Sequence, residues 1–216
     1  MNTRPSQSTF DGFNLDRAIE TAAACVRWAV ESFGSEVCLL SSMQDSTLID
    51  IAMRIHPRID VVFLDNGYHF RETIETVARV ERQYGITVRR VGPIEDVQAD
   101  IAAGECCDTK TALLEQALDK KRAWISGLRR TETATRAKSQ LVETDRRGLT
   151  KINPLASWTD DDVNAYRDAN DVLLNPLLLN GYTSIGCEPC TSRPSDMDER
   201  SGRWQGSERS ECGLHL

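Results

Sequence analysis

Seven cysteines have the most chemistry to offer in this sequence, and their spacing sorts them. Cys106 and Cys107 are adjacent in GECCDTK, Cys187 and Cys190 take the C-x-x-C spacing in GCEPC, and Cys212 closes the chain in SERSECGLHL. Neighbouring Cα atoms lie about 3.8 Å apart, below the roughly 4.4–6.8 Å of ordinary disulfides, so Cys106 and Cys107 are poor partners for each other. A C-x-x-C turn, stiffened here by Pro189, lets two thiolates meet one metal centre, but alone it fits a redox dithiol, half a zinc site or half an iron-sulfur site. Both pairs together give enough thiolates for tetrahedral zinc or a 4Fe-4S cluster. Adjacent residues splay towards different irons of a wide cube more readily than towards one zinc ion, which favours the cluster. Cys212, beside Gly213 on a terminus, suits a nucleophile that meets first a substrate and then a protein reductant, and an inconsequential terminal thiol fits equally well. His215 either orients that thiol or is simply solvated. Cys25 in TAAACVRWAV and Cys38 in EVCLL read as core residues.

The elements that must position these thiols alternate. Asn14, as N-cap, and Asp16 open a helix through AIETAAACVRWAVESF that stops at Gly34. EVCLLS reads as a buried strand, TLIDIAMRI as a helix, IDVVFLD as a second strand, RETIETVARVERQYG as a helix closed by Gly85, and ITVRRVG as a third strand. The pattern predicts a helix over IEDVQADIAA, another that starts after the cysteine pair and covers TALLEQALDKKR, then a strand at AWISGL. Ser157 or Thr159 caps a short helix in SWTDDDVNAYRDAND. Such alternation implies an α/β fold with a mainly parallel sheet wrapped by helices, binding ligands beyond the carboxyl ends of its strands. The loops there are SSMQDS, LDNGYHF and SGLRRTETATRA. From Val172 to Leu216 no long periodic run appears, so something other than a large apolar face must hold this irregular tail.

With 216 residues and 40% hydrophobic content the chain suits one domain with a real core. The absence of a long apolar segment and of a signal-like N-terminus leads us to expect a cytoplasmic protein. A formal charge of -7 argues against a general binder of nucleic acid or anionic membrane. Basic residues nevertheless gather at Lys120–Arg122, at Arg129 and Arg130, at Arg146 and Arg147, and at Arg200, Arg203 and Arg209. The lysine-rich group reads as solvated surface, and arginines in glycine-containing loops are better candidates for a compact anion site.

The CC pair, SGLRR, KINPLASWTDDDVNAY, NPLLLNGYTSIGCEPCT, RSGRW and the terminal ECGLH resemble the assimilatory adenylyl-sulfate (APS) reductases, the iron-sulfur branch of the APS/PAPS reductase family. The resemblance spans about Leu39 to His215. It implies an adenine nucleotide alpha hydrolase-like fold related to the PP-loop ATP pyrophosphatases, in a single reductase domain over 1–216 whose mobile tail, 191–216, carries the catalytic thiol. It further implies that Cys106, Cys107, Cys187 and Cys190 hold a 4Fe-4S cluster. Cys212 would attack the sulfur of adenylyl sulfate, expel AMP and form an S-sulfonate that thioredoxin, or glutaredoxin, resolves to sulfite. SSMQDS stands where the superfamily has a glycine-rich phosphate loop, which marks Ser41, Ser42, Asp45 and Ser46 as substrate-binding; the missing glycines suit a ligand other than ATP. LDNG matches the nucleotide-contacting LDTG, giving Leu64, Asp65 and Gly67, with Asn66 in place of Thr. Arg129, Arg130, Arg200 and Arg203 match the arginines that stabilise the leaving nucleotide.

One departure stands beside the cysteine pair. The family places a lysine four residues after the second cysteine, where this chain has Thr111, and its nearest lysine is Lys110. Consecutive helical residues diverge by about 100 degrees, so Lys110 either reaches round or the contact is lost. The alternatives are a reductase of phosphoadenylyl sulfate (PAPS), a zinc-binding PP-loop ATP pyrophosphatase acting on tRNA, and a non-catalytic redox sensor. The cysteine quartet favours APS over PAPS, while the glycine-poor loop, acidic charge and terminal cysteine count against the tRNA enzyme. A homo-oligomer is compatible with the sequence. Gly202, Gly206 and Gly213 are expected to let Cys212 swing between substrate and reductant.

Overall fold

The computed structural model describes residues 15–92, 105–194, 200–205, 209 and 211–214. Six strands among them form one sheet in the order β3-β2-β1-β4-β6-β5: β1 (Val37–Leu40), β2 (Asp60–Leu64), β3 (Arg89–Val91), β4 (Ala123–Ser126), β5 (Val142–Thr144) and β6 (Thr150–Ile152). The β1–β4, β2–β3 and β4–β6 pairs are parallel and β5–β6 is antiparallel, so the expected mainly parallel α/β sheet is present. The chain divides into two compact units, Met1–Ser41 with Ser46–Val61 and Lys120–Leu173, and Ser42–Asp45 with Val62–Asp119 and Leu174–Leu216.

In the first unit, helix α1 (Leu15–Phe33) buries Ala18, Ala22, Cys25, Val26 and Ala29, residues three or four apart that make one continuous face. Gly34 then turns the chain at φ 55, which glycine adopts without a Cβ penalty. Helix α2 (Thr47–Ile55) places Asp50 beneath Tyr166, whose hydroxyl donates to the carboxylate at 2.6 Å, and Arg54 pairs with the same group. Helix α5 (Asp160–Asn170) starts where expected, at Thr159 rather than Ser157: the Thr159 hydroxyl accepts from the Asp162 N–H and the Asp162 carboxylate accepts from the Thr159 N–H.

Strands β5 and β6 have no counterpart in the sequence reading. Each is three residues of mixed polarity, too short to display a period, and the turn between them is fixed by Asp145, whose carboxylate accepts from the Arg147 and Leu149 N–H groups and from the Trp124 indole. A buried Lys151 pairs with Glu143 across that hairpin at 3.0 Å.

In the second unit, helix α3 (Arg71–Tyr84) ends as predicted at Gly85, in the left-handed conformation with its N–H on the Glu81 carbonyl. Helix α4 (Glu105–Leu118) corrects the reading in two ways. It begins before the cysteine pair, so Cys106 and Cys107 lie in its first turn, and it stops at Leu118, leaving Lys120 at φ 60 and the basic run outside. Lys121 and Arg122 belong to the first unit, where they pair with Asp60 and Glu36. The Asn14 cap and the helix expected over 94–103 lie outside the described residues. Of the irregular tail, Pro176–Leu179 forms the short helix α6, capped by Asn175, and Glu188–Cys190 a 3-10 turn.

Candidate active site

The second unit carries both cysteine pairs and Cys212. Because adjacent helical residues point about 100 degrees apart, the first turn of α4 splays the Cys106 and Cys107 thiols in different directions. The 3-10 turn brings Cys187 and Cys190 to them. The Cys106 and Cys190 Sγ atoms lie 2.7 Å apart, and those of Cys106, Cys107 and Cys190 all fall within 4.8 Å of one another. All four cysteines are buried in one cluster with Trp204, and Tyr68 and Cys212 pack against it.

The loop after β2 is laced to the C-x-x-C turn. The Glu188 N–H donates to the Tyr68 carbonyl at 2.7 Å, and His69 forms a bridge with Cys187. Asn66, fully buried, donates from Nδ2 to the Cys106 carbonyl at 2.9 Å and to Cys187 Sγ at 3.2 Å, while its Oδ1 accepts from the Tyr68 N–H. On the other side the Trp204 indole N–H donates to Cys107 Sγ at 3.3 Å. Donors aimed at sulfur stabilise thiolates over thiols, which is what metal ligation requires.

The acidities of the thiols follow from these contacts. Hydrogen bonds to Cys107, Cys187 and Cys190 push Cys106 far up as the proton donor of the group, with burial adding to the effect. Cys107 is correspondingly held well down, first by the bond from Cys106, then by Cys190, against burial and with help from Trp204 and the charge of Arg209. Cys187 is lowered to about 5 by the bond from Cys106, against burial, with the charge of Lys110 and the Asn66 bond assisting. Burial, reinforced by Lys110 and opposed by the bond to the Leu64 carbonyl, lowers His69 to about 3, so its imidazole is neutral.

Lys110 is thus buried on the side of α4 where its charge acts on Cys187 and His69. Thr111 faces elsewhere: its hydroxyl donates to the Cys107 carbonyl and would lie 3.4 Å from a Cβ on Gly213. The tail therefore runs along the helix that bears the cysteine pair. Arg209 grips Asp108 through Nη2, 3.0 and 3.2 Å from its two carboxylate oxygens, and Cys212 reaches the cluster. Gly206 and His215 lie outside the described residues.

The other sequence-derived residues are distributed as follows. Asp65 accepts from the Gly67 N–H at 3.0 Å in a tight turn with Gly67 at φ 77, and the Leu64 carbonyl bonds the His69 ring at 2.9 Å. Ser42 and Asp45 belong to this second unit, Ser41 and Ser46 to the first. Ser46 is buried and accepts from the Leu173 N–H at 3.0 Å. In the first unit Arg129 pairs with Asp160, and Arg130 Nε donates to the Ser139 carbonyl at 2.7 Å. In the second, Arg200 and Arg203 both lie over the Trp204 ring, at 5.3 and 4.2 Å from its centroid. Asn66, Trp204 and Asp108 acquire roles that the sequence reading did not give them. The only signals were an Asn where the resembled motif has Thr, and RSGRW ending in an indole.

Residues 36–193 match the phosphoadenosine phosphosulfate reductase domain. The adenosine 5'-phosphosulfate reductase of Mycolicibacterium smegmatis is 45% identical over 209 residues, covering 91% of this chain and 89% of that protein. Among solved structures, the phosphoadenylyl-sulfate (PAPS) reductase of Candida auris aligns with a TM-score of 0.62 at 24% identity, over 85% of this chain and 98% of that one. The FMN adenylyltransferase of Candida glabrata aligns with a TM-score of 0.65 at 15% identity, over 84% and 66%. These two likenesses speak to the fold alone. Among the described residues no helix is long and apolar enough to cross a membrane.

Proposed function

Since the chain belongs to the phosphoadenosine phosphosulfate reductase domain family, we propose that it reduces adenylyl sulfate to sulfite and AMP in assimilatory sulfate reduction. The enzyme is an oxidoreductase acting on a sulfur group. The observation that carries the reading is the packing of Cys212, the thiol outside both the apolar core and the quartet, against the cluster of four buried cysteines and Trp204.

In the proposed reaction the Cys212 thiolate attacks the sulfur of adenylyl sulfate. A sulfur-sulfur bond forms, the sulfur-oxygen bond to the nucleotide breaks, and AMP leaves with that electron pair. A thioredoxin thiolate then attacks Cys212 Sγ, sulfite departs with the electrons of the sulfur-sulfur bond, and the second thioredoxin thiol resolves the mixed disulfide. Lys110, Arg129, Arg130, Arg200 and Arg203 supply positive charge to a substrate that gains charge on its leaving group. Arg129 would do so in exchange for its partner Asp160. Ser41, Ser42, Asp45, Ser46, Leu64, Asp65 and Gly67 contact the nucleotide in this reading.

The donor set fits a 4Fe-4S cluster: four buried thiols, of which Cys107 and Cys187 have lowered pKa values and receive N–H donors. Cys106, Cys107, Cys187 and Cys190 would hold it, and it would tie the C-x-x-C turn to α4 while concentrating charge beside the substrate's sulfur. A reducing cytoplasm suits such thiols. The test is sulfite release with thioredoxin, comparing adenylyl sulfate with its 3'-phosphorylated analogue. Release from adenylyl sulfate that disappears in Cys212→Ser supports the reading, and undiminished release from that variant overturns it.

A further inference from the structure

We propose that Asn153 is a positioning residue for Arg129 and Arg130, closing both ends of the loop over 127–141 so that the two guanidinium groups stand ready for an anion. The inference rests on the reading that these arginines meet the leaving phosphate of the substrate. The loop leaves β4 at Ser126 and returns to the sheet at β5, and Asn153 directly follows β6, the parallel neighbour of β4. Asn153 therefore lies at the carboxyl ends of two adjacent parallel strands, the side on which such sheets bind their ligands.

The side chain is fully buried and reaches both ends of the loop at once. At the entry, Oδ1 accepts from the Ser126 hydroxyl at 2.7 Å, and Ser126 Oγ in turn accepts from the N–H of Leu128, the residue before Arg129, at 3.3 Å. At the exit, Nδ2 donates to the Gln140 carbonyl at 2.8 Å and to Glu143 Oε1 at 2.9 Å, and the Asn153 N–H donates to the Leu141 carbonyl at 2.8 Å. Glu143 is itself held by the buried Lys151, so the exit is tied to a fixed point. The backbone carries the clamp into the loop: the Asn153 carbonyl accepts from the Ala156 N–H, and the Ala156 carbonyl from the Arg130 N–H, both at 3.0 Å. Both amide donors of the side chain are spent on the protein, so Asn153 holds the loop rather than the substrate. Inside the loop the Glu132 carboxylate accepts from the Arg129 N–H at 3.0 Å and pairs with Arg136, which fixes the bend. Two adjacent cations repel and would spread in a free loop; with both ends closed, their placement is set before the substrate arrives.

The experiment compares AMP with adenosine, each titrated into the purified holoprotein by calorimetry, because only AMP carries the phosphate that the arginines would meet. Ser126→Ala cuts the link at the entry and leaves the exit closed. It is expected to weaken AMP binding about fivefold, as the loss of one neutral hydrogen bond does, while adenosine stays within about twofold. Asn153→Ala opens both ends and is expected to weaken AMP at least about tenfold with the same small effect on adenosine. A lesion that merely loosened the fold would weaken both ligands alike. Equal weakening of AMP and adenosine, or AMP affinity unchanged in these variants, overturns the proposal. Should Asn153→Ala fail to fold, Ser126→Ala decides alone. Arg129→Ala and Arg130→Ala test the underlying reading separately. If neither weakens AMP, that reading fails and the proposal falls with it, whereas weaker AMP binding in these two beside unchanged affinity in Ser126→Ala overturns the proposal alone.

Discussion

Replacing Asn66 by Asp removes both side-chain donors while keeping the volume and the Oδ1 acceptor for the Tyr68 N–H. Two bonds are lost, one to the neutral Cys106 carbonyl at 2.9 Å and one to the Cys187 sulfur at 3.2 Å. A neutral bond contributes about 1 kcal/mol and a bond to a charged group about 2, so the loss is about 3 kcal/mol before any repulsion between the new carboxylate and the thiolate. For a chain of 150–250 residues each kcal/mol moves the thermal midpoint by about 2–4 °C, which gives a fall of about 6–12 °C. Calorimetry under argon on metal-loaded protein reads it directly. Asn66→Thr, which restores the residue of the resembled motif and keeps one donor, should lose about half as much. A midpoint in Asn66→Asp within about 2 °C of the unmodified protein would refute the claim that this amide supports the quartet.

The Arg209–Asp108 pair is exposed at both ends and should work as a weak, salt-sensitive clasp on the tail. Arg209→Ala is expected to raise the rate of Cys212 alkylation by up to about fivefold at low salt. That difference should vanish in about 0.5 M salt, as mass spectrometry of the terminal peptide can check. Burial pushes the Cys25 thiol up to about 12 from an ordinary 9.0, so it should resist alkylation in native protein at pH 8. Because its folded pKa is raised, Cys25 contributes stability that is full below 9.0 and lost towards 12; the difference in urea midpoint from Cys25→Ala should shrink across that window. Gly202→Ala would set a Cβ 2.1 Å from the Ser192 carbonyl oxygen, which belongs to backbone and cannot swing away, so a loss of about 3 kcal/mol or more is expected on urea unfolding.

The helices and strands of the β-α alternation were legible because each announces itself locally, by a buried face on α1 and α3, a left-handed glycine at Gly85 and a capping box at Thr159. β5 and β6 were not, since three-residue strands are specified by pairing and by Asp145 rather than by their own pattern. The cysteine quartet could be read from spacing, but the start of α4 could not, because cysteine is a poor helix signal and the tertiary contacts of Cys106 decide it. The Lys110 question shows the limit most clearly. A helical wheel gives an angle between positions 110 and 111, whereas the packing gives the outcome: Lys110 acts on Cys187 and His69, and Thr111 lies under Gly213.

The central claim, that Cys212 is the nucleophile delivered to a substrate's sulfur beside the cysteine quartet, is tested most directly without any reductant. Protein incubated anaerobically with adenylyl sulfate labelled in its sulfur should carry one sulfonate on the terminal cysteine peptide and release one equivalent of AMP, and thioredoxin should then discharge the label as sulfite. Label on another cysteine, or AMP release with Cys212 left unmodified, would contradict the account.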